Sequence, residues 1–116
     1  MAKNYDVALL FDFYGDLLTA KRRAFFEYYY NGDLSLSEIA ENEGLTRQGV
    51  YDTLNKGERQ LRAYEEKLGL VRRFRLVSEK ADRIERLADA LCADGADVAE
   101  TARTIRETAA EIRNLS

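Results

Sequence analysis

The chain predicts an all-α fold, and three observations carry that reading. Apolar residues recur at three- and four-residue steps along most of the 116 positions, the spacing of one helical face. Residues that start and stop helices punctuate those stretches at short intervals. From Ala81 onward the apolar residues are Ala, Ile, Leu and Val with charges between them, the composition of slender packed helices. The arrangement expected is a helix-turn-helix domain of four helices over residues 1–69, followed by a two-helix extension over 70–116.

In the first helix Val7, Leu10, Phe11 and Tyr14 form one stripe, and Leu9 with Phe13 a second, so two of its sides need partners. Gly15 ends it. Thr19 is an N-cap candidate for a helix through Phe25, Phe26 and Tyr28 to Tyr30, stopped by Asn31-Gly32. Tyr28-Tyr29-Tyr30 read as core and packing residues, since consecutive helical side chains diverge. Ser37 is expected to cap a short third helix, Glu38 to Glu43, ending at Gly44. Thr46 would cap a fourth that continues to Lys67, interrupted only by Gly57, and the boundary near Leu68-Gly69-Leu70 is expected to be crossed with little break.

The extension carries two seams. Leu70, Phe74, Val77, Ala81, Ile84, Ala88 and Leu91 step alternately by four and three, as do Val98, Ala102, Ile105, Ala109 and Ile112. A polar turn at Ala93 to Asp97, with Gly95 as a stop, lets the two helices form an antiparallel hairpin. Cys92, at the end of the fifth helix, is expected to be a small buried apolar residue. Alanine-rich seams bury little area, so either the first domain or a second chain is expected to cover them, and together with the two-sided first helix they favour a homodimer.

Composition excludes much chemistry. With no histidine and one cysteine, histidine-based triads, Cys/His zinc sites and disulfide frameworks are ruled out. The remaining carboxylate pairs sit on helices expected to be exposed, without the apolar surroundings that tune a catalytic acid. No enzyme, cofactor or metal site is expected. The longest apolar run, Val7 to Phe11, rules out membrane insertion, and a cytoplasmic protein is expected.

The segment SEIAENEGLTRQGVYDTL, Ser37 to Leu54, has the pattern of a helix-turn-helix. Ala40 faces the partner helix, Gly44 serves the turn and Val50 anchors the second helix, with Ile39, Leu45 and Leu54 as further anchors. Glu43 departs from the motif, which usually buries an apolar residue there. With Val50, Leu54 and Leu61 inward, Arg47, Gln48, Tyr51, Asp52, Asn55 and Lys56 project toward a major groove, and Arg59 reaches phosphate. Arg72, Arg73 and Arg75 make a secondary basic cluster. Net charge is −3, with nine Lys/Arg against twelve Asp/Glu in residues 1–69, which argues against tight autonomous DNA binding.

The stretch LLFDFYGDLLTAKRRAFFEYYYNGDLSLSEIAENEGLTRQGVYDTL, followed by EEKLGL, resembles the YlxM family of small bacterial helix-turn-helix proteins, which are similar to region 4 of sigma factors. The likeness spans about residues 4–76 and is most specific in FDFYG, LSLSEIAE and RQGVYD. It implies an all-helical, dimer-prone protein, linked through gene neighbourhood to the signal recognition particle pathway and described as a DNA-binding regulator. By the same analogy Arg47, Gln48, Tyr51 and Asp52 occupy the recognition helix. DNA is one expected partner. The alternative is an accessory protein that binds the protein or RNA component of the signal recognition particle without reading a DNA sequence.

Overall fold

A computed structural model describes residues 5–115 as six α-helices, with no strand among the described residues. The order is α1 (Tyr5–Tyr14), a 3-10 turn (Gly15–Leu17), α2 (Ala20–Phe26) running into a π-helical turn (Glu27–Asn31), α3 (Leu36–Glu43), α4 (Arg47–Leu68), α5 (Leu70–Leu91) and α6 (Val98–Asn114). Contacts divide the chain into residues 1–71 and residues 72–116.

In the first unit α1, α2 and α3 all pack on α4, whose Val50, Leu54 and Leu61 are completely buried. Val7, Phe26 and Ile39 meet them from the other helices. The Phe26 ring stacks on Phe11 at 5.3 Å and on Tyr30 at 5.7 Å. This ring lies against Gly57, where any side chain on α4 would collide with it. Gly57 is therefore a packing residue in mid-helix. Of the second stripe on α1, Leu9 packs against the core, whereas Phe13 is 36% exposed.

Local chemistry explains the boundaries. Thr19 Oγ1 accepts from the Arg22 amide at 3.3 Å and Thr46 Oγ1 from the Gly49 amide at 3.0 Å, each an N-cap. The cap of α3 is Ser35, not Ser37. Ser35 Oγ accepts from the Glu38 amide (3.1 Å) while the Glu38 carboxylate accepts from the Ser35 amide (3.2 Å), a reciprocal pair that Ser37 lacks because Ala40 stands three residues on. After α2 the backbone widens, the Gly32 amide reaching back to Glu27 O at 2.8 Å. That turn buries Tyr29, half-buries Tyr30 and leaves Tyr28 37% exposed.

The boundary expected to be crossed with little break is a single left-handed residue, Gly69 (φ 63°, ψ 25°), between the end of α4 and the start of α5. Tyr14 holds this junction. Its phenol donates to Glu65 Oε1 at 2.6 Å and accepts from the Leu70 amide at 3.0 Å, and the same carboxylate oxygen takes the Val71 amide at 3.0 Å. The two leading amides of α5 are thus capped from α1 and α4.

In the second unit α5 and α6 are joined by Lys80 Nζ to Glu111 Oε2 at 2.7 Å, and Asp97 caps α6 by accepting from the Glu100 amide. Of the stripe expected on α6, Ile105 and Ile112 are covered and the rest is replaced by threonines. Thr108 is 1% exposed and Thr101, Thr104, Ile105 and Ile112 are half-buried, while Val98, Ala102 and Ala109 are exposed. Thr104 and Thr108 donate to the carbonyls of Glu100 and Thr104, so their hydroxyls are satisfied within the helix and their methyl groups can face inward. On α5, Val77, Ala81, Ile84 and Leu91 are half-buried, Leu87 takes the place expected of Ala88, and Phe74 is 49% exposed. Cys92 is exposed, contrary to expectation, because α5 ends at Leu91 and leaves it in the turn.

Candidate nucleic-acid interface

The turn between α3 and α4 rests on Gly44, whose φ of 66° lies in the left-handed region that most side chains avoid. Its amide and that of Leu45 both return to Ala40 O. Leu45, expected as an anchor, is 40% exposed; Ile39, Ala40, Val50 and Leu54 hold the two helices together without it. Thr53, next to the anchoring Leu54, is half-buried and donates to Gly49 O at 3.0 Å.

Burial of Val50, Leu54 and Leu61 turns a stripe of polar side chains outward on α4. Arg47, Gln48, Asp52, Lys56 and Arg59 are exposed. Tyr51 and Asn55 are half-buried instead, and Tyr51 packs against the core of the first unit. Arg47, Lys56 and Arg59 form no ion pair among the described residues, whereas Arg62 lies 3.8 Å from Glu58. Gln48 is engaged within the stripe: its Nε2 donates to Asp52 Oδ1 at 2.9 Å. Sequence periodicity shows which side chains face out, but not this bond.

Other cations near α4 are tied down. Arg22 Nη1 donates to Gln60 Oε1 at 2.9 Å, and Gln60 in turn donates to the Tyr64 hydroxyl. Arg23 pairs with Asp16 at 3.0 Å. The ammonium of Lys21 stands 6.0 Å from the centre of the Phe25 ring. Of the secondary cluster, Arg72, Arg73 and Arg75 are all exposed, and Arg72 and Arg75 interact with neighbours.

The field around the stripe is mixed. Glu38, Glu41 and Glu43 on α3 are exposed, so the departure noted at Glu43 is accommodated by solvent and not by the core. An HTH fold ordinarily lets its first helix cross the phosphate backbone. Here that helix offers three carboxylates. The exposed cations of α4 stand at Arg47 in its first turn and at Lys56, Arg59, Arg62 and Lys67 further along. Among the described residues, no group of three or more His, Cys, Asp or Glu side chains is placed to hold a metal ion. No helix there is long and apolar enough to cross a membrane.

Residues 1–101 match the family model UPF0122, described as "Putative helix-turn-helix protein, YlxM / p13 like". The match extends beyond the residues that carried the resemblance in the sequence and takes in all of α5. A UPF0122 protein of Thermoanaerobacter sp. (strain X514) is 46% identical over 110 residues, covering 95% of this chain and 93% of that protein. A UPF0122 protein of Caldanaerobacter subterraneus subsp. tengcongensis is 51% identical over 79 residues, 68% of each chain. One from Listeria innocua serovar 6a is 44% identical over 77 residues, 66% of this chain and 70% of its own.

Proposed function

This chain belongs to UPF0122, the YlxM / p13-like helix-turn-helix family, and from that premise we propose that it is a cytoplasmic DNA-binding regulator whose α4 enters the major groove. The observation that carries the reading is the outward stripe on α4, in which the cations of Arg47, Lys56 and Arg59 have no ion-pair partner of their own among the described residues. Arg47 stands at the tip to meet a guanine edge, Gln48, Asp52 and Asn55 lie along the base-facing side, and Lys56 and Arg59 reach phosphate. Half-buried Tyr51 sets the depth of insertion. The role is one of binding and not of catalysis.

In this reading residues 1–69 are the DNA-facing domain and 70–116 an association element. The working form is a homodimer, supported by Leu17 and Leu68 on the first unit and Val98 on the second, each more than half exposed. A dimer presents two recognition helices to half-sites about 34 Å apart. Light scattering across a concentration series checks the mass.

The binding test is a salt titration on duplexes enriched from a randomised library. Arg47→Ala is expected to weaken the enriched site with an unchanged melting temperature. Lys56→Ala and Arg59→Ala are each expected to lower the slope of log affinity against log salt by about 1. Failure to enrich any duplex refutes the reading.

A second reading is favoured by the three carboxylates of α3, which repel a phosphate backbone. In it the helix-turn-helix is a surface for the protein component of the signal recognition particle, with its RNA component met through Arg72, Arg73 and Arg75 instead of α3. It requires co-purification with that particle, abolished by charge reversal at Arg72, Arg73 and Arg75, and no enriched DNA site.

A further inference from the structure

The bond from Gln48 to Asp52 changes what the tip of α4 can recognise. A free glutamine offers both a donor and an acceptor, the combination that matches adenine. Here the amide nitrogen donates to Asp52 Oδ1 at 2.9 Å, across one helical turn and on an exposed face. The bond uses one of the two Gln48 N–H donors and one Asp52 oxygen, and leaves Asp52 Oδ2 as a charged acceptor still to be met. Lys56, four residues beyond Asp52, does not neutralise the carboxylate: Asp52 forms no ion pair among the described residues.

A carboxylate held toward a polyanion is unfavourable unless a donor meets it. Of the four bases, cytosine alone presents a donor with no acceptor on its major-groove edge. Adenine places N7 beside its amino group, guanine offers two acceptors, and thymine an acceptor and a methyl group, so each sets an acceptor close to this carboxylate. Resting on the reading that α4 meets DNA, we propose that the Asp52 carboxylate, held in place by Gln48, selects cytosine through its N4 amino group, with Asp52 the specificity-determining residue and Gln48 its positioning partner. Arg47, immediately before Gln48, keeps its donors for a guanine nearby.

Full-length wild type, Asp52→Asn and Gln48→Ala are each put through selection on a randomised duplex library, with melting curves to confirm that all three fold. Wild type is expected to fix one cytosine, and replacing it to weaken binding about tenfold or more. Asp52→Asn, which regains a donor, is expected to bind all duplexes more tightly and to move the preference at that position to adenine. Gln48→Ala is expected to blur the cytosine preference while leaving the other fixed positions alone. If Asp52→Asn tightens binding uniformly with the cytosine still selected, Asp52 is only a repelling charge and the inference falls while DNA binding stands. An enriched site without any cytosine that responds to Asp52 overturns it equally. If neither wild type nor Asp52→Asn enriches a duplex, the DNA reading itself has failed, and this inference with it.

Discussion

Replacing Gly57 by alanine is expected to destabilise the protein, although alanine favours a helix interior over glycine by about 1 kcal/mol. The new Cβ would lie well inside van der Waals contact with Phe26 Cε2, with Cζ at 3.1 Å and Cδ2 at 3.3 Å. Relief requires the ring to move. Phe26 is completely buried and stacked between Phe11 and Tyr30, with interplanar angles of 24° and 14°, so tilting it disturbs both contacts. Overpacking of this kind costs about 1–3 kcal/mol, and each aromatic pair contributes about 0.5–1.5 kcal/mol beyond area burial. After the gain in propensity, a net loss of about 1–2 kcal/mol remains, or about 5–10 °C in melting temperature for a chain of this length. Thermal and urea unfolding followed by far-ultraviolet circular dichroism measure it. In a Phe26→Leu background, where the ring edge is gone, the same substitution is expected to become neutral or stabilising. A higher melting temperature for Gly57→Ala alone, or the same effect in both backgrounds, refutes the packing account.

Burial, then the hydrogen bond to Glu65, raises the ionisation of the Tyr14 phenol above the usual tyrosine value of 10.0. Above that value the unfolded chain releases this proton while the folded chain keeps it, so the contribution is complete below pH 10 and is lost as pH rises further. Tyr14→Phe is expected to cost about 1–3 kcal/mol at neutral pH and to flatten this alkaline fall, as read from urea midpoints against pH. Ser35→Ala is expected to cost about 1 kcal/mol and Ser37→Ala much less, a contrast that equilibrium unfolding resolves. Hydrogen bonding to Lys80 holds Glu111 below the usual carboxylate value of 4.5, so the join between α5 and α6 is complete above that pH and loosens as pH falls through the lowered value. Hydrogen exchange in α6 on acidification measures this, and Glu111→Gln is expected to remove the dependence.

Much of the fold is legible because its signals are local. Thr19, Thr46 and Gly44 each act within four residues of their own position, and Val50, Leu54 and Leu61 identify the exposed side of α4 by spacing alone. The α3 start was legible too, but in the pairing of Ser35 with Glu38 and not in the serine nearest the helix pattern. The junction at Gly69 is held by a tyrosine 56 positions before Leu70, beyond the reach of any window along the chain. In α6 the alanine stripe and the threonine stripe have the same three-four spacing, and hydroxyl groups that satisfy themselves on the helix decide between them. At the candidate interface, exposure of Arg47, Gln48, Asp52, Lys56 and Arg59 follows from period. The half-burial of Tyr51 and Asn55 and the bond between Gln48 and Asp52 depend on side-chain geometry that period leaves open.

The phenol-carboxylate clasp at the head of α5 also decides where cooperative opening stops. With the amides of Leu70 and Val71 held by Tyr14 and Glu65, those two residues exchange with solvent only when the first unit opens. Fraying that begins at the distal end of α5 meets a stop at Val71. The boundary between the two units therefore falls inside α5, two residues past Gly69.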